Sequence, residues 1–471
     1  MKSLLPLVFV PNYFTNRAIV CFLAVLLTCS IIFSEKVLDI EWVAFDMVAI
    51  VGFFGFINSL SKKWATVDSS AFSKYLLIVS FLLRVAWVCF SYVYFSASTG
   101  KPFEYEAADA VGYHGEALWV AGLFQDDQLQ TYLKYIGDNY ADMGYPTYLG
   151  ALVYMFGDNV FIPRLFKALW STITCWLIYR IARNNFGEST GRIAGIVAML
   201  LPNLIYYCGL HVKETEMVFL VTLFAFFADQ LLRSPTLKSK DIILTLFVGG
   251  SLLLFRTVLA ICMLASLGVA IFFMSRKVST IARRSGFLAI IGVCILLMFS
   301  TPIQKTILMN FKESDRNIKN QMLNYSYTYN ANKFAKYGSK SIFLPLMLVA
   351  PFPSLVDTNQ PNPMMLGGAF FTRNVYAFFV LAAIISMYRR RILREHIFLL
   401  SCLFSYLLVL GSSGFALSER FHMPIIPFMM VLTAYGISQL TEKSKRYYVI
   451  YLIFIAFIVI GWNWVKVAGR V

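Results

Sequence analysis

Residues 75–96 read YLLIVSFLLRVAWVCFSYVYFS, an apolar run in which Arg84 is the single charged residue. A helix needs about 20 apolar residues to cross the hydrocarbon core of a bilayer, so this run is long enough to span a membrane. Comparable runs recur along all 471 residues, of which 59% are hydrophobic, and the mean hydropathy is +0.67. Soluble domains have lower values. The sequence therefore predicts an all-α fold, a polytopic bundle of transmembrane helices.

Hydropathy places about thirteen spans along the chain. They cover residues 17–34, 43–60, 75–96, 160–179, 193–209, 215–232, 241–255, 258–274, 287–304, 370–388, 396–413, 422–440 and 447–468. Pro6 and Pro11 interrupt the start and no small-residue cleavage site follows, so the first span is not expected to be a cleaved signal peptide. We predict an N-terminal two-span hairpin, a central membrane domain with two outer loops, and a final span, at 1–74, 75–440 (outer loops 97–159 and 305–369) and 441–471.

Lysine and arginine are concentrated in alternate loops, and this pattern predicts the orientation. The basic loops carry Lys62, Lys63, Lys74, Arg180, Arg183, Arg192, Arg233, Lys238, Lys240, Arg276, Lys277, Arg283, Arg284, Arg389, Arg390, Arg391, Arg394, Lys443, Lys445 and Arg446. Basic loops stay in the cytoplasm, so the N-terminus is predicted inside and the loop around Asp109 outside. Most of the net charge of +16 lies on this cytoplasmic face, next to anionic lipid. No nucleic-acid partner is needed to explain it.

Cysteine usage predicts neither disulfides nor a metal centre. All eight cysteines fall in apolar stretches and none lies in a predicted outer loop. No CxxC or His-rich spacing is present. We therefore expect no metal and no cofactor.

Three shorter segments are not expected to span the membrane. Residues 128–139 mix apolar and polar residues in a pattern that predicts a helix on the membrane surface. Residues 145–156 are apolar but number only about a dozen, so they are predicted to be interfacial or re-entrant. The same applies to 341–351, which Pro345 breaks.

Ionisable side chains near membrane depth are costly and mark candidate functional sites. The topology gathers most of them at the outer surface, as Asp109, Tyr113 and His114; His211, Lys213, Glu214 and Glu216; Arg256; Glu419, Arg420 and His422; and Arg164 with Lys167. Fixed cations beside a carboxylate suit group transfer from a lipid-phosphate donor. The cations stabilise the departing phosphate, and the carboxylate accepts the proton of the acceptor hydroxyl.

The segment DAVGYH (109–114) resembles the first-loop Asp motif of the GT-C superfamily of integral-membrane glycosyltransferases. The resemblance covers roughly 75–440. It continues in chain order through GYP (144–146), IYRIARNNFG (178–187), LFRT (254–257) and ERFHMPIIP (419–427). It is strongest toward bacterial protein mannosyltransferase-like, aminoarabinose-transferase-like and lipopolysaccharide-core enzymes, which use polyprenyl-phosphate sugars.

This resemblance implies that a sugar passes from a polyprenyl-phosphate carrier to an acceptor hydroxyl or amine. It further implies a single displacement with inversion, at the outer face of a bacterial inner membrane. Asp109 matches the catalytic base, and Arg256 and Arg420 match residues near the donor phosphate. Further substrate or phosphate contacts are predicted for Lys213, His211, Glu214, Tyr113 and His114. Many relatives carry a second acidic residue where this chain has Ala110, which weakens the analogy for a metal site and for Asp109.

Several of these residues also have a purely structural interpretation. Asp109 could cap a helix, and Glu214 could stabilise the start of the helix that follows it. Arg420 could pair with its neighbour Glu419. Arg84, deep in the third span, is more typical of an internal ion-pair partner than of a substrate contact.

Two other functions remain open from the sequence. A polysaccharide polymerase or ligase that uses a lipid-diphosphate oligosaccharide would suit the basic loop 305–369, but it does not predict the motif around Asp109. A lipid or glycan transporter would place charges along a path through the bilayer midplane and would show inverted repeats. Here the charges gather at one face and no repeat is visible.

Overall fold

The computed structural model describes residues 9–140, 143–234, 239–274, 346–412 and 418–468, together with Gly292. Over these residues the regular structure is helical, and β pairing is limited to an isolated antiparallel bridge between Val37 and Val356. The all-α fold predicted from composition is confirmed. In chain order the helices are α1 Asn12–Ile32, α2 Ile40–Lys63, α3 Ser69–Thr99, α4 Ala108–Gln125, α5 Leu129–Asn139, α6 Gly144–Phe156, α7 Phe161–Phe186, α8 Glu188–Leu200, α9 Pro202–Tyr206, α10 Glu214–Arg233, α11 Ser239–Phe255, α12 Thr257–Met274, α13 Pro361–Met365, α14 Gly367–Arg389, α15 Ile397–Ser412, α16 Glu419–His422, α17 Ile426–Ser438 and α18 Glu442–Ala468.

The fold is that of a polytopic membrane protein. Within the described ranges, eight helical stretches are long and apolar enough to cross a membrane, or nine if α8 and α9 form one span bent by 52°. The predicted span 287–304, apart from Gly292, lies outside the described residues. So do residues 305–345, which include the start of the short segment 341–351. The total of about thirteen spans therefore stays a prediction.

The predicted segments coincide closely with the observed helices. The run 75–96 lies inside α3, the surface segment 128–139 forms α5, and the short apolar segment 145–156 forms α6. Helix α4 has no counterpart among the predicted elements. It contains three glycines, which lower intrinsic helix propensity, and it packs against α6 through Val120.

The break between α8 and α9 is caused by Pro202 and stabilised by Arg84. A proline removes one backbone N–H and clashes with the carbonyl four residues earlier, which here is that of Ala198. The Arg84 guanidinium donates to the carbonyls of Ala198 at 3.3 Å and Met199 at 3.2 Å, and to the Ser171 hydroxyl at 2.7 Å. Arg84 thus pairs with two carbonyls at the end of a broken helix and with groups of Ser80, Ser171 and Cys175, not with the carboxylate that the sequence suggested.

The N-terminal hairpin is attached to the rest of the bundle through Asp46. This fully buried residue of α2 accepts a hydrogen bond at Oδ1 from the Gly368 amide at the start of α14, at 2.6 Å. A Cβ atom at Gly367 would lie 2.5 Å from the Asp46 carboxyl group, and one at Gly368 would lie 2.5 Å from its carbonyl oxygen. Glycine therefore allows α2 and α14 to approach this closely. The division into hairpin and central domain stays a prediction.

Close packing also fixes the outer helices α4 and α6. A Cβ atom at Gly150 of α6 would lie 2.5 Å from the Val120 side chain of α4. A Cβ atom at Gly144, where α6 begins, would lie 2.7 Å from the ring of Phe255 at the end of α11. These glycines allow α6 to pack both against α4, which carries Asp109, and against the end of α11.

Candidate active site

Three of the predicted site residues are joined by ion pairs. The Arg420 guanidinium donates from Nη1 to Oδ2 of Asp109, and from Nε to Oε1 of Glu214 at 2.9 Å. The Glu214 side chain is fully buried, whereas the side chains of Arg420 and Asp109 are 33% and 57% exposed. Asp109 is therefore the water-facing end of a three-residue network that begins inside the protein.

Helix geometry places the two carboxylates of this network. Asp109 lies in the first turn of α4 and Glu214 is the first residue of α10. The N-terminus of a helix carries a partial positive charge, so both positions favour a carboxylate. The N-cap position of α4 is occupied by Ala107. Asp109 therefore does not cap this helix, which was the alternative role considered for it from the sequence. Arg420 belongs to the four-residue helix α16, just before Pro424.

Arg256 and Lys213 add positive charge beside the network. Arg256 is the single residue between α11 and α12, and its guanidinium carbon lies 4.3 Å from the centroid of the Phe421 ring. Phe421 is the next residue after the arginine of the network. Lys213 donates from Nζ to the carbonyl of Phe255 at 3.1 Å. The network is thus flanked by two further cations from different elements.

A second group of buried polar side chains lies next to these residues. Lys167 donates to Oε2 of Glu216 at 2.9 Å and also to the carbonyl of Val212. The His211 amide donates to Oε2 of Glu104 at 3.4 Å. We call this group the polar cluster; its members are Glu104, Tyr145, Arg164, Lys167, His211 and Glu216.

Two predicted residues of α4 connect Asp109 to the polar cluster. The ring of Tyr113 meets that of Tyr145 edge to face, with centroids 5.1 Å apart. The ring of His114 meets that of His211 in the same way, at 5.5 Å. His114 also lies 3.2 Å from the Asp158 carboxylate, measured from Nε2 to Oδ1. Both side chains are partly exposed, so they form the edge between the polar cluster and solvent.

Burial shifts the pKa of two members of the polar cluster, His211 and Glu104. It lowers the pKa of His211 well below the usual range, and the nearby charges of Lys167 and Arg164 lower it further. Burial also raises the pKa of Glu104, although the charges of Arg164 and Lys167 oppose that shift. His211 is therefore a neutral imidazole at pH 7.

Helix α16 is anchored to neighbouring helices by Glu419 and His422, which lie on either side of Arg420 in the chain. Glu419 accepts a hydrogen bond from the side-chain amide of Asn203, so it is not the partner of Arg420. His422 lies 2.7 Å from the buried guanidinium of Arg373, measured from Nδ1 to Nη2. These contacts tie α16 to α9 and α14 and so fix where the Arg420 side chain begins.

Sequence inspection missed Arg373. It is the one charged residue in the predicted span 370–388. The rule that intramembrane charges mark important sites selected Arg84 and selects Arg373 equally well. Asn203 carries no such signal, because one amide beside a proline is common in loops.

All eight predicted site residues thus lie in one region. Asp109, Glu214 and Arg420 form the network, Lys213 and Arg256 flank it, and Tyr113, His114 and His211 border the polar cluster. No group of three or more His, Cys, Asp or Glu side chains is arranged to hold a metal ion in the part of the chain that the structure describes. An exposed carboxylate such as Asp109 can accept a proton. The fixed cations beside it can stabilise an anionic leaving group.

Comparison with known proteins agrees with this chemistry. Residues 145–304 match the family model of dolichyl-phosphate-mannose-protein mannosyltransferase, over about a third of the chain. The match supports a membrane glycosyltransferase of the GT-C type. It includes Tyr145, Arg164, Lys167, His211, Lys213, Glu214, Glu216 and Arg256, but ends before Arg420 and begins after Asp109. A comparison with curated proteins gave no match.

Proposed function

We propose that this protein transfers a sugar from a polyprenyl-phosphate carrier to an acceptor hydroxyl or amine at the outer face of the membrane. The observation that supports this most is the arginine shared by Asp109 and Glu214. It places an exposed carboxylate within contact of a cation that can also bind phosphate, next to Arg256 and Lys213. The concentration of lysine and arginine in alternate loops supports the orientation in which Asp109 faces outward.

In the proposed reaction, Asp109 accepts the proton of the acceptor group. The acceptor atom attacks the anomeric carbon of the donor sugar from the face opposite the phosphate. The bond between that carbon and the phosphate oxygen breaks, and its electron pair leaves with the polyprenyl phosphate. The configuration is inverted because attack and departure occur on opposite faces. Arg420, Arg256 and Lys213 stabilise the charge on the departing phosphate.

We further propose that the reaction needs no divalent metal. Arg420 already supplies a fixed positive charge between the two carboxylates. A chelator is therefore expected to leave the rate of transfer unchanged.

The direct test is sugar transfer in isolated membranes supplied with labelled polyprenyl-phosphate sugars. Asp109→Asn keeps the size of the side chain but removes the base. We expect its transfer rate to fall by about a hundredfold or more at equal protein level, the usual effect of losing a general base. The matched control is Glu106→Gln, because Glu106 is an exposed carboxylate three residues before Asp109, just outside α4. Equal transfer by wild type and Asp109→Asn would remove Asp109 from the mechanism.

A further inference from the structure

The loop between α3 and α4 is anchored to its surroundings by Tyr105. This residue lies four positions before Asp109 and three before the start of α4. The residue that follows it, Glu106, has a backbone φ of 52°, in the left-handed region that non-glycine residues seldom adopt. Such a conformation persists where surrounding contacts hold it. The contacts of Tyr105 therefore bear on where α4 begins, and with it Asp109.

The side chain of Tyr105 rests on the N-terminal hairpin. Its ring meets the Trp42 ring of α2 edge to face, with centroids 6.0 Å apart. Its hydroxyl oxygen lies 3.1 Å from that of Tyr94 on α3. Tyr94 donates its own hydroxyl hydrogen to Oε1 of Glu41, so Tyr105 is the donor between the two tyrosines. The hairpin thus holds Tyr105 by a ring contact and by a hydrogen-bond chain that ends on a carboxylate.

The backbone of Tyr105 is held as well. Its carbonyl accepts a hydrogen bond from Nδ2 of Asn362, in α13, at 2.9 Å. Helix α13 itself packs against α2. The side chain and the main chain of Tyr105 are therefore fixed by α2, α3 and α13, which carry none of the eight predicted site residues.

The hairpin is a fixed support for this contact. Trp42 is 8% exposed and lies one helical turn before Asp46, on the same face of α2. Asp46 accepts a hydrogen bond from the Gly368 amide of α14. Before α2 begins, Val37 pairs with Val356 in the isolated bridge. The part of the hairpin that supports the loop is therefore attached to the bundle on both sides of Trp42.

The proposed base depends on a well-placed loop. Helix α4 contains three glycines, which lower its intrinsic helix propensity, and the Asp109 side chain is 57% exposed. A general base has to lie within hydrogen-bond reach of the proton that it accepts. A displacement of about 1 Å can lower a rate about a hundredfold. Support just before α4 therefore matters for the reaction as well as for the fold.

We propose that Tyr105 is a positioning residue for sugar transfer, and that the N-terminal hairpin acts on the reaction through it. This proposal rests on the proposed function and adds a role for the hairpin to it. Neither Tyr105 nor the hairpin lies within residues 145–304, which match the family model. Tyr105 touches no substrate in this scheme. It holds the loop from which Asp109 reaches the acceptor.

The test compares two substitutions that each remove a buried ring from α2. Trp42→Ala removes the ring that supports Tyr105. Phe53→Ala, the matched control, removes a ring that is 3% exposed and lies three helical turns further along α2. In isolated membranes at equal protein level, Trp42→Ala should lower kcat about tenfold, because Asp109 is less well placed. The KM for the donor should stay within about twofold, because Trp42 contacts none of the cations proposed to bind the phosphate.

The controls separate positioning from general loss of packing. Trp42→Phe keeps a ring against Tyr105 and should transfer sugar nearly as fast as wild type. Phe53→Ala should also keep the kcat of wild type. Equal losses of kcat in Trp42→Ala and Phe53→Ala would show that the hairpin contributes only to folding, which would overturn the proposal.

A double-variant cycle tests whether the hairpin acts through Tyr105. Tyr105→Ala should lower kcat at least as much as Trp42→Ala does. Adding Trp42→Ala to it should then lower kcat by no more than about a further twofold, because the two residues act as one unit. A further loss of about tenfold would show independent effects and would refute the route through Tyr105.

A second measurement does not depend on transfer. Hydrogen exchange of the amides at 104–111, followed by mass spectrometry on the purified full-length protein in detergent, reports how firmly the loop and the first turn of α4 are held. In the wild-type structure the Val111 amide donates to the carbonyl of Ala107 at 2.9 Å, and the Ala108 amide donates to that of Glu106 at 2.9 Å. Both bonds should open more often when the support is lost.

Exchange at 104–111 should be faster in Trp42→Ala and Tyr105→Ala than in wild type or Phe53→Ala. Exchange at the rate of wild type in all three variants would refute the support itself. Faster exchange in the first two variants, together with no transfer by wild type from any polyprenyl-phosphate sugar, would instead refute the proposed function, and with it a role of this support in catalysis.

Discussion

At the scale of single residues, Arg420 determines the geometry of the candidate site. It is the only link, among the described contacts, between the exposed Asp109 and the buried Glu214. An arginine suits this position because its planar fork of donors can serve two carboxylates at once, which the ammonium group of lysine does less well. The sequence predicted all three residues as site members, but not that they pair.

We expect Arg420→Ala to destabilise the protein by leaving the buried Glu214 carboxylate without its partner. Loss of one member of a buried pair costs about 3–5 kcal/mol, and the partial exposure of Arg420 suggests the lower end. The double variant Arg420→Ala with Glu214→Gln should recover most of that loss, because no buried charge remains unpaired. Unfolding in detergent measures both, with the exposed Arg390→Ala as control. Equal stability of the single and double variants would show that the pair contributes little.

At the scale of elements, the broken helix α8–α9 shows how a buried arginine can serve the fold alone. Arg84 contacts the last carbonyls of α8, where the helix dipole also favours a cation. The break lets the chain turn into the segment that carries His211, Lys213 and Glu214. Arg84 therefore supports the site from a distance, without contacting it.

We expect Arg84→Met to lower the free energy of unfolding by about 3 kcal/mol, since two buried carbonyls lose their donor at about 1–3 kcal/mol each. Pro202→Ala restores an N–H that can pair with Ala198. In the double variant the loss should therefore be smaller than the sum of the two single losses by about 1 kcal/mol or more. Thermal unfolding of the four proteins in detergent measures this coupling. Strict additivity would show that Arg84 and Pro202 act independently.

The sequence was informative about elements that carry a long apolar run and less so about those stabilised by contacts. The run 75–96 predicted α3, and the amphipathic pattern of 128–139 predicted α5. Helix α4 escaped prediction because it packs against α6 through the close approach of Gly150 to Val120, which no local pattern reveals. The polar cluster escaped for the same reason. Arg164, Lys167 and Glu216 were each suspect, but their convergence with Tyr145 depends on helix packing.

At the scale of the whole molecule, contacts between distant segments agree with the predicted grouping of the loops into two faces, while the assignment of one face to the outside stays a prediction. Val37 and Val356, both predicted outside, pair in the isolated bridge. On the side predicted to be cytoplasmic, Arg192 donates to the carbonyl of Trp64 at 2.9 Å, and Arg394 donates to that of Phe273 at 2.7 Å. Residues assigned to one face thus contact residues of the same face, although they come from distant parts of the chain.

We expect an impermeant thiol reagent to label Asp126→Cys in intact cells and Arg390→Cys only after the membrane is opened. Both positions are exposed, but the first lies at the end of α4 and the second in a basic loop. The parent protein should stay unlabelled in intact cells, because its exposed Cys89 lies within the span formed by α3. Labelling of Arg390→Cys in intact cells, with Asp126→Cys protected, would invert the topology.

The contact between Asp46 and Gly368 has a consequence for biosynthesis. The two residues are 322 positions apart in the chain, and ribosomes add roughly 5–20 residues per second. Asp46 therefore leaves the ribosome roughly 16–64 seconds before the amide that will pair with it exists. During that interval its carboxyl group lacks the Gly368 amide, so we expect the first hairpin to reach its final packing only after α14 has been made. Its docking is a late event, timed by the arrival of α14.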